Sequence, residues 1–291
     1  MNKSLLKKII LLLAAGGIID IGRYAFYPDV SELIEERPVP TAFMEYRQEQ
    51  WAEENREKEI RHKWVTLSQI SPNVVKAVLI AEDDKFWNHD GFDVGGMEQA
   101  IERSLEKGTV AGGSTISQQL SKNLYLSPSK NPVRKIKEAI ITWRIENTLS
   151  KRRILEIYLN VAEWGDGIFG IEAAARHYYG KSAKRLSGRE AARLAAVLPN
   201  PIKYDPTGNQ KYVKNRARII YKIMQHRGVV IPSYDEVMAP PKEASEPLGE
   251  SSEENGSVLE LFGESGQNVP ETLEQPSASE QTGEPNASAP F

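Results

Sequence analysis

Three consecutive carboxylates, Glu82, Asp83 and Asp84, directly follow an apolar segment at Val74 to Ala81. The chain continues with aromatic residues and a histidine, as Lys85-Phe86-Trp87-Asn88-His89-Asp90-Gly91. A carboxylate among apolar and aromatic neighbours has its pKa raised toward neutrality, which is what a general base or general acid requires. The cluster is therefore a candidate acid-base site, and a solvated helix end is the alternative.

A glycine-rich turn at Gly112-Gly113-Ser114 leads into a helix whose first residues are Thr115 to Asn123. Such turns bind phosphate through backbone amides and the positive end of the helix dipole. Lys122 adds a positive charge about two turns further along. The order of residues is not that of a Walker loop. A phosphate site is one interpretation, and a flexible turn with an ordinary helix cap is the other.

A third group lies on the segment after Pro132, where Arg134 and Glu138 are four residues apart and share a helix face. Lys135 and Lys137 add positive charge beside them. Apolar residues surround most of this helix, which predicts that Glu138 lies in or near the interior with Arg134 as its partner. A purely structural ion pair is the alternative interpretation.

The segments that must position these groups are predicted to be helical. Capping boxes, in which a Ser or Thr is followed three residues later by Gln or Glu, begin helices at Thr115 and Ser187. Further helices are predicted at Val74 to Ala81, Gly95 to Lys107, Pro132 to about Leu149, the segment from Ser150 to Asn160, Ile171 to Tyr179, and Tyr212 to Arg227. Strand signals are sparse, so the fold class is mainly α.

The composition supports a globular body with two unusual ends. The 291 residues carry a net charge of -3 and contain no cysteine, which excludes disulfides and thiol chemistry. From Pro240 to Phe291 there are eleven Glu and one Lys, so the first 239 residues hold 36 basic and 29 acidic side chains. A basic body suits an anionic partner such as phosphate, nucleic acid or a lipid surface.

The N-terminus combines Lys3, Lys7 and Lys8 with an apolar run that begins at Ile9 and continues to Tyr27. A helix of this length, about 28 Å, just spans a bilayer. We predict an uncleaved anchor in residues 1–28 with a cytoplasmic N-terminus, and a cleaved signal peptide is the alternative. Residues 29–63 are predicted to be a charged, solvated connector, 64–232 the folded domain, and 233–291 a disordered acidic tail.

Taken together, the clusters resemble the peptidoglycan glycosyltransferases of glycosyltransferase family 51, in the monofunctional form. Five motifs of that family match in order, from about Trp64 to Pro206. The first is carried by Glu82, Asp83, Phe86, His89 and Gly91, and the second runs from Gly112 to Asn123. The third to fifth are carried by Arg134, Lys135, Glu138 and Glu146; by Lys151, Ile154, Leu155, Glu156, Tyr158, Leu159 and Asn160; and by Gly170, Ile171, Ala173, Ala174, Tyr178 and Gly180. Tyr179 stands where the family commonly has Phe.

The resemblance implies a lysozyme-like helical fold and a polymerase that joins a lipid-linked glycan to lipid II. Glu82 would be the general base and Glu138 the second catalytic acidic residue. The implied substrate-binding residues are Asp83, Phe86, His89, Ser114, Thr115, Gln118, Gln119, Lys122, Asn123, Arg134 and Lys135. A divalent cation, Mg²⁺ or Mn²⁺, is a further expectation of the resemblance, with Glu82 or Glu138 as possible ligands.

The same resemblance implies a single-pass protein of the bacterial inner membrane with its catalytic domain in the periplasm. Lipid II, the nascent lipid-linked glycan and the bilayer would be its partners, together with other cell-wall synthesis or division proteins and no nucleic acid. Apolar residues around Phe92 to Ile101 could enter the headgroup region or belong to the core. A lysozyme-like hydrolase and a non-catalytic glycan-binding scaffold are the rival functions. A penicillin-binding reading of Ser127-Pro128-Ser129-Lys130 is rejected because Pro128 interrupts the required helix.

Overall fold

The computed structural model describes residues 3–107, 112–128 and 131–227. Within these ranges the protein is mainly helical, as predicted. The helices are α1 Lys3–Gly22, α2 Ala42–Glu53, α3 Pro72–Glu82, α4 Val94–Lys107, α5 Ile116–Tyr125, α6 Pro132–Thr148, α7 Lys151–Val161, α8 Ile171–Tyr179, α9 Gly188–Val197 and α10 Lys211–His226. The strands are β1 Arg61–His62, β2 Glu163–Gly165 and β3 Ile168–Phe169.

The helix ends follow the capping signals in the sequence. Thr115 and Ser187 both form complete capping boxes, at the starts of α5 and α9. The side chain of Asn131 accepts a hydrogen bond from the amide of Val133 at the start of α6, where Pro132 occupies the first turn. Gly180 adopts a left-handed conformation at the end of α8. The predicted helices are therefore confirmed, with ends that differ by at most two residues.

The core surrounds α7, which is buried on nearly every side. Residues Ile154, Leu155, Ile157 and Leu159 of this helix have no exposed surface. Helices α5 and α6 pack together and α5 packs on α7, while α3, α9 and α10 form a second packed group. The catalytic candidates at the end of α3 and along α5 and α6 therefore lie where the two groups meet.

A small sheet, which the sequence did not predict, lies beside the core. β3 pairs in parallel with β1, with Arg61 opposite Ile168, and antiparallel with β2, with Glu163 opposite Phe169. The strands are two or three residues long, too short to leave a period-two pattern in the sequence.

The structure differs from the expectation of a solvated connector at α2. Met44, Arg47 and Trp51 are buried, with exposed fractions of 1%, 6% and 2%. Arg47 donates to both carboxylate oxygens of Glu163, at 3.0 and 2.8 Å. These residues recur every three or four positions and so form one helix face, which anchors the segment to the β2–β3 hairpin.

The N-terminal helix α1 contacts α6 of the body. Lys137 pairs with Asp20 at 2.5 Å, and Arg144 donates to the backbone oxygens of Tyr24 and Phe26, both at 3.0 Å. No helix among residues 3–107, 112–128 and 131–227 is both long and apolar enough to cross a membrane. The predicted acidic tail, 233–291, lies outside the described residues.

Candidate active site

Glu82, the last residue of α3, is held from two sides by neutral and cationic donors. Gln119 Nε2 of α5 donates to Oε2 at 2.9 Å, and Arg216 Nη2 of α10 approaches Oε1 at 3.3 Å. Only 10% of the Glu82 side chain is exposed. Burial raises the pKa of Glu82, while Arg216, Gln119 and Lys122 act in the opposite direction. The carboxylate has the environment of a general base.

Arg216 is the site residue that the sequence reasoning missed. Besides contacting Glu82, its guanidinium donates to the backbone oxygen of Ala81 at 3.0 Å. It could have been found, because Arg216 lies four residues before Ile220 and one before Ala217, at the edge of the apolar stripe of α10. A charged side chain beside a buried stripe requires a partner.

The orientation of Gln119 is set by Tyr158 of α7. The Tyr158 hydroxyl donates to Gln119 Oε1 at 3.0 Å, which leaves the amide NH₂ to face Glu82. Tyr158 is almost completely buried, and burial raises its pKa well above the usual value. The phenol is therefore a lasting hydrogen-bond donor that fixes Gln119.

Asp83 holds the start of α5. Its Oδ2 accepts from the amide of Ile116 at 2.9 Å, and its Oδ1 lies 2.9 Å from His89 Nε2. The amide of Gly91 donates to His89 Nδ1 at 3.1 Å, so the ring proton is on Nε2 and is donated to Asp83. Asp83 and His89 therefore connect the loop after α3 to the first residue of α5.

Thr115 and Gln118 are likewise engaged within the protein. Gln118 Oε1 accepts from the amide of Thr115 at 3.0 Å, and Thr115 Oγ1 donates to the backbone oxygen of Gly91 at 2.7 Å. The amide of Ile116 donates to Asp83 and that of Gln118 to Thr115 Oγ1 at 3.2 Å, so the amides of Thr115, Ile116 and Gln118 already have partners. A phosphate site at the amides of the glycine-rich turn stays a prediction. Phe86 and Asn123 are buried as well.

Gly91 is required by this arrangement. Its φ is +88°, a backbone conformation that residues with a side chain rarely adopt. An added Cβ would also lie 2.9 Å from both Glu146 Cγ and Thr142 Cγ2. Glu146 is itself bonded to Ser117, and to Lys151 at 2.8 Å. The absence of a side chain at Gly91 lets the Asp83 loop pack against α6.

A cationic cluster lies on the first turns of α6. Arg134 Nη1 donates to Glu138 Oε2 at 2.6 Å, and Lys135 donates to Glu138 Oε1. Lys135 also lies 3.2 Å from the hydroxyl of Ser114, which is exposed. Glu138 is buried and Lys135 is about half exposed, so the carboxylate holds two cations at the surface of the cleft. The predicted pair of Arg134 with Glu138 is confirmed.

Lys122 connects the cationic cluster to Glu82. Its pKa is lowered, chiefly by burial, and both Glu138 and Glu82 oppose that effect by attracting the ammonium. The ammonium also lies 6.0 Å from the centre of the Phe43 ring of α2, a cation–π contact. A cation between two carboxylates can stabilise negative charge that develops there during a reaction.

The described side chains do not form a protein-held metal site. Within the described ranges, no group of three or more His, Asp or Glu residues could hold an ion. Both oxygens of Glu138 are engaged by Arg134 and Lys135, and both oxygens of Glu82 by Gln119 and Arg216. A cation at Glu82 or Glu138 would have to replace these partners, and the metal role of either carboxylate stays a prediction.

The site as a whole defines a helical enzyme that joins a buried general base to a cluster of cations suited to a phosphate-bearing substrate. Comparison with protein families matches residues 48–225 to the transglycosylase family. The "Biosynthetic peptidoglycan transglycosylase" of Laribacter hongkongensis is 51% identical over 196 residues, which cover 67% of this chain and 85% of that protein.

Proteins of the same name from two other bacteria are similar to this chain to a comparable degree. That of Methylobacillus flagellatus is 45% identical over 219 residues, covering 75% of this chain and 96% of the relative. That of Aromatoleum aromaticum is 54% identical over 183 residues, covering 62% and 80%. The chain belongs to the transglycosylase family.

Proposed function

We propose that this protein polymerises the glycan strands of peptidoglycan by transferring a lipid-linked glycan onto the 4-hydroxyl of lipid II. Membership of the transglycosylase family and relatives named biosynthetic peptidoglycan transglycosylase support this function. The observation that carries the mechanism is the placement of Glu82. The Glu82 side chain is only 10% exposed, and the Lys122 ammonium is attracted both by Glu82 and by Glu138, the carboxylate that holds the cations of α6.

In the proposed reaction, Glu82 accepts the proton of the acceptor 4-hydroxyl as its oxygen attacks the anomeric carbon of the donor sugar. The bond from that carbon to the pyrophosphate breaks, and the leaving group takes the bonding electrons. Attack from the opposite face converts the α linkage into a β-1,4 linkage. Undecaprenyl pyrophosphate is released, and no nucleotide sugar takes part.

Negative charge grows on the pyrophosphate as its bond breaks. We assign its stabilisation to Arg134, Lys135 and Lys122, with Ser114 as a neutral donor beside Lys135. Glu138 acts by holding Arg134 and Lys135 at the cleft. Binding that strengthens as charge develops accelerates the chemical step itself.

The hydrolase and scaffold alternatives have less support. A hydrolase needs a carboxylate and a water molecule but no site for a pyrophosphate leaving group. A scaffold needs neither Glu82 nor its orienting partners. The transglycosylase names of the relatives favour transfer.

The location and partners proposed here follow from a substrate with lipid tails. We assign the protein to the bacterial inner membrane as a single-pass protein with its catalytic domain outside. Support comes from the exposed apolar side chains of α1, among them Leu11, Leu12 and Ile18, and from the lysines before them. Val94 and Met97 of α4 are exposed as well, which favours the headgroup interpretation of that segment.

The defining experiment follows polymerisation of labelled lipid II in detergent, with glycan products resolved on gels. We expect long glycans from the wild type and none from Glu82→Gln, which keeps the side-chain shape but cannot accept the proton. Asp84→Asn is the matched control, because Asp84 is an exposed carboxylate two residues away that pairs with Arg227. A folded Glu82→Gln variant that polymerises normally would refute the base assignment, and shortening of preformed glycan by the wild type would replace transferase with hydrolase.

A further inference from the structure

Two tyrosines form a stacked pair at the start of α10, the helix whose Arg216 contacts the candidate base. The rings of Tyr204, in the segment before α10, and Tyr212, in its first turn, lie 4.3 Å apart with an angle of 16° between their planes. Both side chains are partly exposed. Neither lies in a motif that carries the family resemblance or has a role in the mechanism above.

The pair is close to Glu82 because of its position on α10. Tyr212 precedes Arg216 by four residues, so the two side chains share a helix face and are separated by about one turn. Arg216 touches the Glu82 carboxylate and the backbone oxygen of Ala81. Burial raises the pKa of Tyr212, and the charge of Glu82 acts in the same direction while that of Arg216 opposes it.

The phenol groups of the pair are available to a ligand. Neither hydroxyl has a hydrogen-bond partner among the described residues, and neither is among their fully buried unbonded oxygens. A tyrosine that served only the core would normally bury its ring and bond its hydroxyl. Each ring covers one face of the other, both rings pack partly on the core, and the exposed side chain of Lys203 lies 5.7 Å from the centre of the Tyr204 ring. The surface left to a ligand is the remaining exposed part of the rings beside this flexible lysine, with hydroxyls that solvent can reach.

The two oxygens of Glu82 distinguish the sides of the site. Oε2 faces Gln119 of α5, the helix that also carries Lys122 and leads to the cations proposed to take the donor pyrophosphate. Oε1 faces Arg216 of α10. The tyrosine pair lies on the α10 side and is therefore on the side of the base away from the donor pyrophosphate.

We propose that Tyr204 and Tyr212 form a stacking platform for the acceptor sugar, the pyranose whose 4-hydroxyl Glu82 deprotonates. The inference rests on the proposed function and assigns the acceptor side of that site. A pyranose ring has one face of C–H groups that suits the negative face of an aromatic ring. Its equatorial hydroxyls can bond to phenol groups at the ring edge.

The test must separate acceptor from donor, because lipid II can serve as both. A fluorescent lipid-linked oligosaccharide whose terminal 4-hydroxyl is blocked by galactose acts only as donor. Its elongation is measured against lipid II concentration, which gives a KM for the acceptor, and against donor concentration, which gives a KM for the donor. Far-UV circular dichroism verifies that each variant is folded.

We expect Tyr204→Leu and Tyr212→Leu each to raise the KM for lipid II about fivefold, the change produced by losing an aromatic contact of about 1 kcal/mol. The KM for the donor and kcat should stay within twofold of the wild type, because the contact is made equally in the ground and transition states. Tyr212→Phe keeps the aromatic ring, so it should raise the KM for lipid II less than Tyr212→Leu does. Tyr221→Leu is the matched control on the same helix. The Tyr221 ring makes a cation–π contact with Arg189, 5.4 Å from the ring centre, and is not part of the stacked pair.

An unchanged KM for lipid II in a wild type that elongates the donor would overturn the platform and leave the proposed function standing. A rise in the donor KM instead would also overturn it, by assigning the pair to the other side. Failure of the wild type to elongate the donor would refute the proposed function and the platform together. If Tyr212→Leu does not fold, Tyr204→Leu alone decides the question.

Discussion

Removal of the Arg216 charge should move the acid limb of the pH–rate profile to higher pH. As the proposed base, Glu82 must be deprotonated, so we expect activity to fall as the pH decreases through its pKa. Burial has already raised that pKa, and Arg216 opposes the rise. Arg216→Gln removes the opposing charge, so the pKa rises further and protonation begins at a higher pH.

The separation of the two charges sets the size of the shift. At 3.3 Å, the attraction between Arg216 and Glu82 is about 1 kcal/mol with the dielectric constant of water and about 5 kcal/mol with an effective value of 20. The side chains are 19% and 10% exposed, so the interaction lies between these limits. One pKa unit corresponds to about 1.4 kcal/mol, so we expect a shift of at least about one unit.

The assay is kcat/KM for lipid II polymerisation as a function of pH, which reports the pKa of the free enzyme. Arg216→Lys keeps the positive charge, so the acid limb of its profile should stay close to the wild-type pH. Arg218→Gln removes an exposed charge two residues away and serves as the matched control. The expected shift is at least about one pH unit. If the acid limb of Arg216→Gln instead stays within roughly 0.3 units of the wild type, Arg216 does not set the pKa of Glu82.

Two further predictions concern stability and metal dependence. Arg47→Met should lower the free energy of unfolding by about 3–5 kcal/mol in denaturant titrations, because Glu163 would remain buried without its cationic partner. Adding Glu163→Gln should recover much of that loss. A loss below about 1 kcal/mol would show that the buried pair does not stabilise the fold as proposed. EDTA should slow lipid II polymerisation and Mg²⁺ or Mn²⁺ should restore it, because a cation would bind the substrate pyrophosphate. Full activity in EDTA would refute the proposed cation.

Local sequence signals predicted the helices because each one is bounded by a cap or a breaker. The capping boxes at Thr115 and Ser187 and the Asn131-Pro132 start are all found where expected. The burial of α2 was not predicted because most of this helix lies in the segment from Glu45 to Lys63, which is rich in charged residues. Only the spacing of Met44, Arg47 and Trp51 indicated a buried face, and Arg47 could be recognised as part of it only with Glu163 in view.

The site was predictable where two partners lie on one helix and not where they come from distant segments. Arg134 and Glu138 are four residues apart, so their pairing follows from helix geometry. Glu82 and Arg216 are separated by 134 residues, and nothing local indicates their contact. The same reason explains why the hydrogen bond from the amide of Ile116 to Asp83 could not be predicted.

The contacts of Glu82 explain how one carboxylate can be both desolvated and reactive. Burial alone would protonate it and destroy its function as a base, while a close bidentate cation would stabilise the charge so far that it would bind no proton. Arg216 meets one oxygen at 3.3 Å, longer than the 2.6 Å between Arg134 and Glu138. The looser contact suits the proposed base, while Glu138 contacts both Arg134 and Lys135 and suits a carboxylate that holds cations in place. The difference in pairing therefore separates the roles of the two acidic residues.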